Sequence, residues 1–209
     1  MKNFSKNLAW VLSDGTKGME NQSVALAKML NCDFKVIKYN PPFLLKNFPL
    51  IGKCIPKSLI NINLNENFLP NYVITTGKRM AGISIAIKSC LKDKIKTIHI
   101  QNPKVSRNNF DLLLIPEHDK IFGNNIINTK GALSFFNSKK LLKNKKFSSK
   151  KSIIFFMVGG NNKRYSLNNS DYYDLSMSIV KATKLIKGKL IVSSSRRTTK
   201  KAINVIQSV

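Results

Sequence analysis

The sequence is short of acid: 10 of its 209 residues are Asp or Glu, against 36 Lys or Arg, for a formal charge of +26. It has only two histidines and three cysteines, and Cys32, Cys54 and Cys90 show no Cys-x-x-Cys spacing. That excludes a thiolate metal site, argues against zinc, and fits a reducing compartment, with cytoplasm as the expected location. No apolar run approaches the roughly 18 residues that suggest a membrane span. The apolar stretch behind Lys2 and Lys6 is cut by Asp14, so it cannot serve as a signal-peptide core. Gly-x-Gly-x-x-Gly followed by an acid is absent, as is Gly-x-x-x-x-Gly-Lys-Ser/Thr. Neither a nicotinamide cofactor nor ATP hydrolysis is indicated.

The positive charge invites a nucleic-acid reading. Three features count against a dedicated nucleic-acid face. The basic residues are mostly lysine, where phosphate and base forks favour arginine. Lys, Asn and Ile are abundant together, as an AT-rich coding sequence produces unselected. The aromatics lie within apolar runs and form no visible stacking platform. No specific nucleic-acid partner is expected. A hydrophobic fraction of 43% fits a folded protein, and the length allows one good-sized core or two small ones.

Short β-type runs alternate with helical ones. Strands are expected at 8–13, 33–40, 72–76, 96–102, 110–119 and 124–136, with helices at 19–30 and 78–92. A polar, lysine-rich stretch follows, and the alternation then restarts: strand 153–158, helix 169–187, strand 189–195 and a helix from Thr198 onward. This pattern predicts an α/β fold with mainly parallel sheets and helices on both faces. Residues 1–137 form the expected first domain, 138–151 a linker and 152–209 part of a second domain. Two strands are too few for a doubly wound domain, so the chain is expected to stop midway through its second one.

Polar clusters follow the apolar strands: "DGTKGMENQ" (14–22), "TGKRMAG" (76–82), "QNPK" (101–104), "PEHD" (116–119), "GGNNKRY" (159–165) and "SSRRT" (194–198). In a parallel sheet these share the carboxyl edge, where ligands bind. Gly15 and Gly18, with Asn21 and Gln22, make a turn suited to phosphate or a sugar hydroxyl. The plainer reading is a turn into a helix capped by Ser13 or Asp14. Arg79, behind Gly77 at a helix start, is unfavourable to the helix dipole and points to an anion. Gly159, Gly160 and Asn161 resemble a phosphate loop. Ser195, Arg196, Arg197 and Thr198 place two adjacent guanidiniums at a strand end, where they meet an anion. His118 is a candidate general base oriented by Glu117 or Asp119, and Glu20 is a second candidate. Alternatively, Glu117 and Asp119 mimic an acidic pair that holds a metal–nucleotide, or the turn simply carries a hydrogen-bonded histidine. His99 alternates within its strand and reads as a core or face residue. Residues 41–60, "PPFLLKNFPLIGKCIPKSLI", read as an irregular helix packed on the sheet. The alternative is a peripheral patch on the inner face of a membrane, with lysines on anionic head groups.

As a set, "LSDGTKGMENQSVALA", "TTGKRMAG", "PEHDKIFGNNIINTKGAL", "VGGNNKRYSL" and "SSRRT" resemble the mitochondrial-fission family named for the elongated-mitochondria phenotype of plants. Its bacterial members are uncharacterised proteins sometimes labelled nucleoside-diphosphate-sugar epimerases. The resemblance implies a GT-B-like glycosyltransferase fold, a complete Rossmann-like amino-terminal domain on the acceptor side and the first βαβα portion of a second on the nucleotide-sugar side. It implies a nucleotide-sugar donor as substrate, an unknown acceptor, and chemistry without a bound cofactor or metal. Gly15, Gly18, Asn21, Gln22, Gly77 and Arg79 would line the first domain's edge. Gly159, Gly160 and Ser195 to Thr198 would line the second. Family members continue past the last motif into an Asp-Ser-x-Ser-Met-like segment and a glutamate-bearing helix, so a longer native form or a completing chain is expected. A non-catalytic adaptor that keeps the fold is the alternative.

Overall fold

The computed structural model describes residues 7–64, 69–135, 151–161, 165–195 and 197–209. The expected linker 138–151, except Lys151, and Arg196 lie outside the described residues. The chain divides into two compact units, Met1–Phe136 and Asn137–Val209.

Unit 1 is a six-stranded sheet in the order β2-β1-β3-β4-β5-β6, with every neighbouring pair parallel. Its strands are β1 (Leu8–Ser13), β2 (Asp33–Lys38), β3 (Tyr72–Thr76), β4 (Lys96–Ile100), β5 (Leu112–Pro116) and β6 (Ile126–Thr129). The unbroken apolar run of β1 follows from its place inside the sheet, where Ala9, Trp10, Val11 and Leu12 are all buried. β2 lies at the edge and mixes Asp33, Lys35 and Lys38 into its run, as an edge strand that avoids further pairing does.

Helix α1 (Lys17–Met29) covers one face of the sheet, where Leu26 and Ala27 share a core with Ala9, Val11, Ile74 and Ile98. Helix α3 (Lys78–Leu91) covers the other, where Met80, Ile83 and Ile87 join Trp10, Leu12 and Val73. α3 is apolar nearly all round because it is covered twice, by the sheet and by an outer layer. That layer corrects the expectation of one irregular helix on the sheet. Residues 43–59 form a short helix α2 (Phe43–Asn47) and 3-10 turns at Pro49–Cys54 and Lys57–Leu59, with Pro42, Pro49 and Pro56 at their starts. The first two lean on α3 through a glycine contact. A Cβ on Gly52 would stand 2.4 Å from the Gly82 carbonyl oxygen, and one on Gly82 would stand 2.5 Å from that of Leu45.

Unit 2 runs β7 (Ile153–Val158), α4 (Asn169–Leu185), β8 (Lys189–Ser194), α5 (Lys200–Gln207), with β7 and β8 parallel. A capping box opens α4. The Asn168 side chain accepts from the Asp171 amide at 3.0 Å, and the Asp171 carboxylate accepts from the Asn168 amide at 2.7 Å. Val158, Tyr172 and Ala202 form the small core. No helix among the described residues is long and apolar enough to cross a membrane.

Candidate functional site

The sheet of unit 1 reverses its winding between β1 and β3. α1 leaves β1 on one face and α3 leaves β3 on the other, which opens a crevice at the carboxyl edge of these two strands. Both exits turn on a glycine in the left-handed region, Gly15 at φ +87° and Gly77 at φ +83°. Neither helix start is capped by its neighbour's side chain: Thr16 precedes α1 and Gly77 precedes α3, and neither makes a side-chain capping bond. Ser13 and Asp14, the expected caps of α1, are engaged otherwise. Ser13 Oγ accepts from the Gly15 amide at 3.1 Å, and Asp14 Oδ1 accepts from the Thr16 amide at 2.9 Å. The positive dipole ends of two helices therefore open at one place on the sheet edge, an arrangement suited to an anion.

Glu20, one turn into α1, organises the polar side of this crevice. Its buried carboxylate accepts from Ser13 Oγ at 2.8 Å and pairs with Lys17 Nζ at 2.9 Å and with Lys38 Nζ. The Lys17 ammonium above all, then Lys38 and Ser13, hold its pKa down to about 2. Both lysines remain more than 60% exposed and keep part of their charge available. Ser23 Oγ and Thr76 Oγ1 lie 2.6 Å apart and tie α1 to the end of β3. Arg79 is mostly exposed, with a guanidinium nitrogen 3.9 Å from Asp14. A Cβ on Gly77 would meet Met19 Sδ at 3.5 Å and Gln101 Oε1 at 3.7 Å, which brings the end of β4 to the same place.

The structure thus brings together Gly15, Glu20, Gly77 and Arg79 of the residues singled out from sequence. Gly18 lies in the first turn of α1 with open space where a Cβ would be. The Gln22 amide is buried and donates back to the Gly18 carbonyl at 3.5 Å. Asn21 stands on another flank of α1, in a shallow pocket shared with Val24, Lys28 and Leu133. Glu117, His118 and Asp119 form a 3-10 turn directly after β5, ended by Lys120 at φ +51°. His118 is exposed, with Nε2 3.9 Å from Asp119 Oδ1. β5 is two strands from β3, so this turn stands about 10 Å along the same edge. Sequence reasoning missed Lys38 and Ser23 as members of the site and named Thr76 only within the 76–82 cluster. Their only signal was position, as strand ends and as a polar residue on the inner side of α1.

In unit 2, the turns after β7 and β8 are knitted together. The Ser195 amide donates to Thr198 Oγ1 at 2.9 Å, Thr198 Oγ1 donates to the Val158 carbonyl at 3.0 Å, and the Thr198 amide donates to the Ser195 carbonyl at 3.0 Å. The Arg197 amide donates to Ser195 Oγ at 3.2 Å. A Cβ on Gly160 would lie 1.8 Å from the Arg197 carbonyl oxygen, so only glycine fits, while one on Gly159 would meet nothing within 4 Å. Asn161 closes its own loop, accepting from the Leu167 amide at 2.8 Å.

Two solved structures of UDP-GlcNAc 2-epimerase from Methanocaldococcus jannaschii, one in complex with UDP-GlcNAc and UDP, are similar to this chain at 15% and 16% identity and TM-scores of 0.45. They cover 96% and 95% of this chain and 70% and 68% of their own. The "Uncharacterized protein RP120" of Rickettsia prowazekii (strain Madrid E) is 31% identical over 117 residues, or 53% of this chain. That match spans about a third of the relative, 32% of its length. The family model for Mitochondrial fission ELM1 matches residues 17–209, from the first turn of α1 through both units, and the chain belongs to that family.

Proposed function

We propose that the chain serves a GT-B-like glycosyltransferase that moves a sugar from a nucleoside-diphosphate donor to an acceptor hydroxyl. The observation that carries this reading is the pair of glycine turns at the switch point of unit 1. They open on two uncapped helix starts beside Lys17, Lys38 and Arg79. Three cations against Glu20 and Asp14 leave the crevice net positive, which suits a phosphate-bearing or polyhydroxylated substrate. On this reading unit 1 takes the acceptor and unit 2 the nucleotide sugar, as the sequence resemblance implies.

In the transfer, the acceptor oxygen attacks the anomeric carbon. The bond from that carbon to the diphosphate breaks, and its electron pair leaves on the diphosphate. The turn at Gly159–Gly160 and the Arg197 guanidinium are assigned to that leaving charge. The acceptor proton goes to His118. Glu20 is a poor base because a carboxylate held ionised down to about pH 2 has little affinity for a proton. Its role is to position Lys17 and Lys38.

The test is binding of a panel of nucleoside-diphosphate sugars by calorimetry to the full chain, to Arg197→Ala and to Gly160→Val. Saturable binding that both substitutions weaken at least tenfold is expected. Binding by none of the panel, or binding unchanged in both variants, overturns the reading and leaves the non-catalytic adaptor.

A further inference from the structure

The outer layer over α3 is anchored from behind and bare in front. Leu45, Pro49 and Gly52 turn inward, and the Gly52–Gly82 contact fixes the layer's backbone against α3. Facing outward are Phe43 (74% exposed), Leu44, Phe48, Leu50 and Leu59 (71% exposed). Scattered exposed leucines are ordinary, but five large apolar side chains within one short ordered segment form a surface that water disfavours. Lys46, Lys53 and Lys57 are interleaved with them, and the sequence has no acid between Asp33 and Glu66.

We propose that this face docks on an anionic phospholipid bilayer, with Phe43, Leu44, Phe48 and Leu59 in the headgroup–acyl boundary and the lysines on lipid phosphates. Charge selects the occupant. A second copy of a chain with formal charge +26 is repelled at this basic face, whereas an anionic membrane attracts it. The rigid backing means that no ordering of the segment opposes adsorption. Position gives the docking a purpose. α2 begins five residues after Lys38, which pairs with Glu20 at the crevice, and it lies against the first turns of α3, whose start opens on that crevice. A substrate held in the bilayer surface would meet the switch-point edge directly. The inference stands on the surface alone and holds whether or not the chain transfers sugar.

The test uses the full chain with vesicles of phosphatidylcholine alone or with about 30 mol% phosphatidylglycerol, at low and high salt. Two reporters are compared, Phe43→Trp on the patch and Leu185→Trp on the exposed side of α4 in unit 2. The native Trp10 is buried and gives a constant background. The Phe43→Trp emission is expected to shift to the blue on anionic vesicles while Leu185→Trp does not. The double variant Phe43→Ser/Leu44→Ser, of unchanged charge, is expected to bind those vesicles about tenfold more weakly. Equal shifts at both reporters, or undiminished binding by the double variant, would mean adsorption by charge alone and would overturn the proposal. A dimer without vesicles that the double variant abolishes would overturn it too, in favour of a second copy.

Discussion

His99 lies fully buried on β4, with Nδ1 2.8 Å from Thr75 Oγ1, its ring 5.0 Å from that of Phe110, and Nε2 without a hydrogen-bond partner among the described residues. Burial disfavours the imidazolium and pushes its pKa down to about 3, from an ordinary 6.5. The unfolded chain takes up this proton below pH 6.5, whereas the folded chain does so only near pH 3. Stability is therefore full above about 6.5 and falls as pH drops through that window. Each pH unit within the window removes about 1.4 kcal/mol, so moving from pH 7 to pH 5 is expected to weaken unit 1 by about 2 kcal/mol. Against a typical total of about 5–15 kcal/mol this is readily measured. Trp10, the single tryptophan, sits in the core of unit 1 and reports on that unit. Urea titrations followed by its fluorescence at pH 7 and pH 5 give the difference, and His99→Gln and His99→Leu should remove most of it. Glu20 stays ionised at pH 5 and does not contribute there. A parent protein equally stable at both pH values, or variants that lose as much as the parent, would refute the assignment.

Two further substitutions probe the crevice and its outer layer. Glu20→Gln removes a carboxylate that accepts from Ser13, Lys17 and Lys38, and should weaken unit 1 by about 1–2 kcal/mol at pH 7, discounted for the exposure of both lysines. Because the folded-state pKa is depressed, this stabilisation is full above about pH 4.5 and is lost as pH falls toward 2, so parent and variant titrations should converge there. Gly82→Ala puts a Cβ 2.5 Å from the Leu45 carbonyl and should destabilise by about 1–3 kcal/mol, with faster hydrogen exchange in Phe43–Asn47. Gly131→Ala, where a Cβ meets nothing within 4 Å, is the control and should leave exchange in α2 unchanged.

The parallel α/β order was legible because burial on both faces leaves a plain trace. "LAWVL" and "YVITT" are unbroken apolar or β-branched runs, and they became interior strands. Boundaries were less legible where one backbone angle decides. The strand expected over 96–102 stops at Ile100 because Gln101 takes φ +73°, and the one expected over 110–119 stops at Pro116, where a 3-10 turn begins. The run expected over 124–136 became a four-residue edge strand, since few residues there have a partner to pair with. In 41–60 an irregular helix was expected, but the prolines set where each turn starts. Whether the layer met the sheet or α3 depended on Gly82, which lies in another element.

The site was legible where one residue's backbone carries the signal, and illegible where a pair does. Gly15 and Gly77 stood out as glycines at strand ends, and both take positive φ at the switch point. The Lys38–Glu20 and Ser23–Thr76 pairs bridge 18 and 53 positions, and no local pattern reports them. Gly160 teaches the opposite lesson. A glycine pair after an apolar strand reads as a phosphate loop, yet the approach of the Arg197 carbonyl already requires glycine at 160 with no ligand at all. A Cβ on Gly159 would meet nothing within 4 Å, so packing does not require glycine there. Loss of binding in Gly160→Val alone would therefore be expected from a displaced turn under any function. Arg197→Ala, which leaves the Arg197 amide and its bond to Ser195 in place, is the substitution that separates an anion-binding turn from a merely folded one.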